Sequence, residues 1–210
     1  MTPKYIVVTG SVGAGATTLA AQIADTWEAE TLLEGAIEEL NPFFGDAQSN
    51  PSRWVFQSQA HFLAASANRH DLLGELIAAT TAQVVLEDRT PFEHHGAYSK
   101  SYLDQGVLST REFELLQEIA TRFERDYLVP DLLIYREMSP AQIVGRVEER
   151  SRQGESTDGQ RLRAIHEAFE QFVRGWTRSP LLRVPHHVDV LSGEGCEWIR
   201  EHVRPYLDQA

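Results

Sequence analysis

Residues 4–18 read KYIVVTGSVGAGATT. A short β-branched run, Lys4 to Thr9, breaks at Gly10 into a glycine-rich stretch that ends at Thr18, and a helical pattern follows. A buried strand that feeds such a loop and then opens a helix is the arrangement that cradles phosphate. Backbone N–H groups turn inward there, and the helix N-terminus adds positive potential. The pattern G-x-x-x-x-G-K-[ST] is met at Gly10, Gly15 and Thr17, with Gly13 and Thr18 in and beside it. It is broken at Ala16, which stands in the lysine position. The amides from Val12 to Thr18 are candidates for phosphate oxygens, and the Thr17 hydroxyl is a candidate ligand for Mg²⁺. A plain structural turn would use the same glycines. The lysine ammonium ordinarily bridges the β- and γ-phosphates. Its loss costs a few kcal/mol of transition-state stabilisation, roughly 10²–10³ in rate, and leaves the shape of the loop alone.

Downstream, strand and helix patterns alternate. Helix is expected over Thr17–Trp27, where Leu19, Ile23 and Trp27 share a face, and over Ser52–Ala67, with a stripe of Phe56, Ala60, Leu63 and Ala67. Ser109 and Glu112 form a capping box opening TREFELLQEIATRFERDY, and Ser139 caps a helix with Pro140 in its first turn. RLRAIHEAFEQFVR and CEWIREHVRPYL are further helices. TLLE, QVVLED, DLLIYR and HHVDVL are expected strands. The alternation predicts an α/β fold: a five-stranded parallel sheet with helices on both faces, in one domain spanning 1–210. The site should lie at the carboxyl ends of the strands.

Composition sets limits. The chain has 210 residues, 42% of them hydrophobic, and a formal net charge of −12. That balance argues against nucleic acid and anionic membrane surfaces as partners. Cys196 has no internal disulfide partner, which fits a reducing, cytoplasmic setting. No signal-peptide pattern and no membrane-length apolar run is found.

Several polar groups break the bland pattern. Asp88 and Arg89 end an apolar strand, where a catalytic pair would face a cleft; a surface ion pair is the alternative. Arg146 and Arg150 are four apart on one helix face, and Arg152 follows where that helix should end. Three guanidiniums converging on one place repel unless an anion sits among them, and a triphosphate is such an anion. Glu148 and Glu149 offer the competing explanation, a solvated helix end.

In joint order and spacing these segments resemble the deoxynucleoside kinases, particularly the bacterial deoxyadenosine/deoxyguanosine kinases. GSVGAGATTLA, NPFF at Asn41, WVFQSQAHFL from Trp54, LEDRT, and PDLLIYREMSPAQIVGRVEERSRQGE carry the likeness. The resemblance implies a P-loop kinase fold with a short arginine-rich lid at about 150–157, ATP and Mg²⁺ as cofactors, and a homodimer packed through helices. It implies that Asp88 accepts the proton of a sugar 5′-hydroxyl while Arg89 holds the hydroxyl and the phosphate. By the same likeness Gln59 reads the base edge, Trp54 walls the nucleoside, Glu155 binds the 3′-hydroxyl and Glu34 lies near the 5′-hydroxyl. Thr17 and Glu87 would assist the metal. The chain departs from the family at Ala16, at Gln48 where a tyrosine is usual, at Ser66 and His94 near the base, and at Ser151 in the lid.

The expected activity is ATP-dependent phosphorylation of a deoxynucleoside, a purine one, at its 5′-hydroxyl, with turnover impaired by Ala16. Two alternatives stand beside it: a nucleoside monophosphate kinase of the thymidylate kinase type, and a non-catalytic nucleotide-binding protein of the same fold.

Overall fold

The computed structural model describes residues 2–33, 40–150 and 158–208. Strand β1 (Lys4–Thr9) is central in a five-stranded, wholly parallel sheet. The order is β2 (Glu30–Leu32), β3 (Val84–Asp88), β1, β4 (Leu132–Arg136), β5 (Leu181–Val184). β1, β3 and β4 are almost continuously apolar because helices cover both faces of the sheet. Alternate residues go to opposite sides. Ile6, Val8, Val84, Leu86 and Ile134 pack with α1 (Ala16–Trp27) and α8 (Gly193–Leu207). Tyr5, Val7, Val85 and Leu133 pack on the other side with Leu73, Phe92 and Trp176.

Between β2 and β3 lie α2 (Phe44–Ser49) and the long α3 (Pro51–Ala79). After β3 comes a π-helical segment, His94–Ser99, continuing into α4 (Lys100–Asp104) and then α5 (Thr110–Phe123). The π-helix is held against α7 (Gly159–Arg174) at Gly96, where a Cβ would lie 2.6 Å from the Phe172 ring. Only glycine lets the Phe172 ring sit this close to the backbone of the π-helix. α6 (Pro140–Arg150) follows β4.

The expected capping box is present. Ser109 Oγ accepts from the Glu112 amide at 3.3 Å, and Glu112 Oε2 accepts from the Ser109 amide at 2.8 Å. Ser139 and Gln142 make the same reciprocal pair at the start of α6. Two expectations are corrected. Helix α3 does not stop near Ala67 but continues to Ala79. HHVDVL is not a strand; the last strand is LLRV, Leu181–Val184, paired with β4 from Leu133↔Leu181 to Arg136↔Val184. Pro185, which has no N–H to donate, ends that ladder. Residues 186–191 become a loop pinned by Arg136, whose guanidinium donates to the carbonyls of Pro185 at 2.7 Å and Val188 at 2.9 Å.

Candidate active site

The glycine loop leaves the carboxyl end of β1 between β3 and β4. Gly13 and Gly15 take left-handed backbone angles, φ 79° and 82°. The Ala14 amide donates to the Ser11 carbonyl at 2.9 Å, closing the turn. α1 begins at Ala16, so the amides of its first turn have no partners within the helix and are presented at the loop. The Ala16 methyl is only 4% exposed and packs into the core with Leu19 and Ala20. Thr17 and Thr18 are exposed beside it.

Two cavities meet at this loop. The first is lined by Val12 from the loop, by Phe44, Gln48, Gln59 and Phe62 from α2 and α3, by His94, Tyr98 and Tyr102, and by Arg161, Leu162 and Ile165 of α7. It holds about 720 Å³ of space, part of it open to solvent. The second is lined by Ala14, Gly15 and Thr18 from the loop, by Arg136 and Arg146, and by residues 186–191; it holds about 730 Å³, again partly open. The loop is thus the partition between an aromatic, amide-bearing chamber and a cationic one.

In the second chamber Arg146 reaches over the loop. Its Nη1 lies 3.4 Å from the Ala14 carbonyl, and a Cβ on Gly15 would be 3.2 Å from the same nitrogen. Burial, and then the like charge of Arg146, lower the Arg136 pKa, against the pull of Asp189 and Glu137. A polyanion in this chamber would relieve that repulsion. Arg150 closes α6, but its side chain, with Arg152, Glu155 and the expected lid, lies outside the described residues, as does Glu34.

Asp88 and Arg89 sit at the carboxyl end of β3, with Asp88 paired to Val8, two residues before the loop. Asp88 is fully buried. Arg89 has a left-handed φ of 77°, and its amide donates to the Val8 carbonyl at 2.9 Å. Its Nη1 donates to the Gly10 carbonyl at 2.5 Å and meets Glu93 Oε1 at 3.3 Å. Glu93 is a buried carboxylate that the sequence reading missed. It accepts from the Thr9 hydroxyl and from the Thr90 amide at 3.3 Å, so it ties the ends of β1 and β3 together. Its place four residues after Arg89 was the available signal.

Glu87, expected at a metal with Thr17, points elsewhere. Side chains alternate along β3, so Glu87 and Asp88 leave opposite faces. Glu87 accepts from the Tyr5 hydroxyl at 2.5 Å and from Arg69 Nε at 2.9 Å. Burial raises its pKa, opposed by Arg69 and the Tyr5 hydrogen bond. Its oxygens are committed to that buried pair, which does not fit a metal-ligand role. Among the described residues no cluster of three His, Cys, Asp or Glu is arranged for a metal.

Gln59 lies in the first chamber, buried, with Oε1 accepting from the Ser99 hydroxyl at 3.2 Å. Gln48 lines the same chamber, and so does His94, stacked on Phe62 at 5.1 Å between ring centroids. Trp54 stacks on Phe43 at 6.0 Å and belongs, with Phe56, to a packing cluster outside the chamber lining. Phe44 and Phe62 supply the apolar walls instead. Ser66 is buried but does not line the chamber.

The sequence profile described as "Deoxynucleoside kinase" matches residues 6–203, and the chain belongs to that family. A deoxyadenosine/deoxycytidine kinase of Bacillus subtilis is 27% identical over 187 residues, 86% of this chain and 82% of the relative. A deoxyguanosine kinase of the same organism is 25% identical over 151 residues, 72% of this chain and 69% of the relative. Among solved structures, a deoxyadenosine kinase from M. mycoides with dCMP and dCDP bound superposes with a TM-score of 0.81 at 22% identity. That match covers 96% of this chain and 99% of the other.

Proposed function

We propose that this chain, as one domain over 1–210, transfers the γ-phosphoryl group of ATP to the 5′-hydroxyl of a deoxynucleoside, with purines as the preferred class. The observation that carries this is the partition: one glycine loop with a cationic chamber on one side and an aromatic, amide-bearing chamber on the other. ATP belongs in the cationic chamber, where loop amides, Arg146 and the lid residues Arg150 and Arg152 meet its phosphates. The nucleoside belongs in the aromatic chamber, its base against Gln59 and Phe62, its sugar toward Glu155 and Glu34.

Chemistry then falls at the loop. Asp88 accepts the 5′-hydroxyl proton as that oxygen attacks the γ-phosphorus, and the bond from the γ-phosphorus to the β,γ-bridging oxygen of ATP breaks. Arg89, fixed on the Gly10 carbonyl and Glu93, supplies positive charge beside the transferring group. Mg²⁺, when bound with the nucleotide, would supply charge neutralisation to the phosphates. The exposed Thr17 hydroxyl, at the start of α1, suits it as a ligand; Glu87 does not.

A homodimer is part of the proposal. The stripe of Leu116, Ala120 and Phe123 on α5 turns into the core, and Phe113 stacks on His95. The apolar side chains a partner would cover are Leu72 of α3, 56% exposed, and Leu115 of α5, 47% exposed. A cytoplasmic setting is consistent with the free Cys196. No helix among the described residues is long and apolar enough to cross a membrane.

The test is transfer from labelled ATP to a panel of deoxynucleosides and deoxynucleoside monophosphates. Labelled 5′-monophosphate from a nucleoside is the expected product. Label appearing only on monophosphates, or none moving while ATP binds, would overturn the proposal.

A further inference from the structure

Arg161 is an anomaly of the first chamber. It lies in the first turn of α7, lines the chamber beside Leu162 and Ile165, and is 9% exposed. Its Nη2 donates to the Tyr102 hydroxyl at 2.5 Å, and its guanidinium lies 5.3 Å from the Tyr102 ring centroid. Among the described residues these are its polar contacts, and no carboxylate pairs with it. A guanidinium carries five N–H donors and cannot shed its charge. One neutral acceptor and one ring face leave most of those donors without a partner. Those donors have no carboxylate beside them among the described residues and are open to the chamber, so acceptors on a ligand seated there can take them.

The rest of the chamber says what shape the group has. Phe62 and His94 stack 7° from parallel, and Tyr98 lies 5.8 Å from the His94 ring. These rings stack on one another, and with Phe44 they give the chamber an aromatic lining against which a ring edge can pack. Gln59 adds an amide to the same lining.

We propose that Arg161 reads the carbonyl of a keto-bearing base, so that this chamber selects a 6-oxopurine deoxynucleoside over a 6-aminopurine one. The inference rests on the nucleoside kinase reading above and names the base class within it. An arginine pairs in bidentate fashion with O6 and N7 of a 6-oxopurine, both of them acceptors. Adenine replaces O6 with an amino donor, which sets N–H against N–H beside a buried cation. A site built around a donor rejects the ligand that cannot accept from it much more strongly than a hydrophobic pocket rejects a change of size. A phosphate would also satisfy the guanidinium. The aromatic and aliphatic lining around it favours a ring edge over a hydrated oxyanion.

Deoxyinosine and deoxyadenosine differ at the 6-position and serve as probes. Their kcat/KM values with ATP are compared in the native chain, in Arg161→Met and in Arg161→Gln. The native chain should favour deoxyinosine about tenfold or more. The ratio should fall towards one in Arg161→Met through loss on the deoxyinosine arm, and Arg161→Gln, which keeps a donor, should retain part of it. Each ratio is read within one protein, so loss of folded material cancels.

Three outcomes overturn the inference: equal or better use of deoxyadenosine by the native chain, a ratio unchanged in Arg161→Met, or an Arg161→Met defect confined to monophosphate acceptors. Thermal shifts with the same two nucleosides read the same preference without turnover. If no phosphate moves, the kinase reading fails, and the base preference still stands or falls on those shifts.

Discussion

Arg146 Nη1 lies 3.4 Å from the carbonyl oxygen of Ala14, two residues before the alanine that stands in the lysine position of the loop. A cation therefore reaches the loop beside the missing ammonium from α6 rather than from α1. If both positions address the same phosphate oxygens, their effects on rate will not add. Arg146→Ala should lower kcat by about 10²-fold or more, the usual scale for one transition-state donor. Ala16→Lys should raise kcat, and by a larger factor in the Arg146→Ala background than in the native chain. Equal factors in the two backgrounds, measured by steady-state kinetics, would show that the two cations do separate jobs.

Asp88→Asn should lower kcat by at least about 10²-fold while ATP affinity, read by calorimetry, stays within a few fold. Glu34→Gln is the comparison. If Asp88→Asn keeps its turnover and Glu34→Gln loses it, the proton goes to the other acid.

The buried pair of Arg69 and Glu87 sets a pH dependence. Arg69 also donates to the carbonyls of Leu33, Leu32 and Asp88, so it ties the ends of β2 and β3. Burial holds the Glu87 pKa above the ordinary carboxylate range, and Arg69 is the largest influence pulling it down. The folded state thus binds this proton more tightly than the unfolded state does. That contribution is full below the unfolded pKa and is lost as pH rises through the folded one. Arg69→Met removes the opposing charge and should widen the loss. Denaturant titrations should show a destabilisation of about 3–5 kcal/mol at neutral pH that shrinks as pH falls to the carboxylate range. Glu87→Gln in that background should flatten the pH profile, and a profile still steep would assign the effect elsewhere.

Leu72→Lys combined with Leu115→Lys should convert a dimer to a monomer in sedimentation equilibrium without lowering Tm at high dilution. A native chain that sediments as a monomer at every concentration would remove the dimer from the proposal.

The strand, loop and first helix could be read because their signals are contiguous: β-branched residues, glycines and a four-residue apolar repeat fall within residues 4–27. β5 could not. LLRV lies between Pro180 and Pro185 and carries an arginine, whereas HHVDVL looks more strand-like in isolation; pairing with β4, some 50 residues earlier, decides between them. The second half of α3 was hidden for a similar reason. Arg69 and His70 interrupt its apolar stripe, yet both are used inward, Arg69 on the strand ends and His70 accepting from the Leu128 amide at 3.0 Å. Adjacent acids on one strand look equivalent in a string of letters, and the pleat sends Glu87 to Arg69 and Asp88 away from it. Arg161 reads as one more polar residue in RLR until Tyr102, 59 positions earlier, fixes it in the chamber wall.

Val12 faces one chamber, while Ala14 and Gly15 face the other. A divider only a few atoms thick cannot yield to one occupant without encroaching on its neighbour. Donor and acceptor therefore compete for the same slack in the main chain, and the grip on either is tuned by the fullness of the compartment next door.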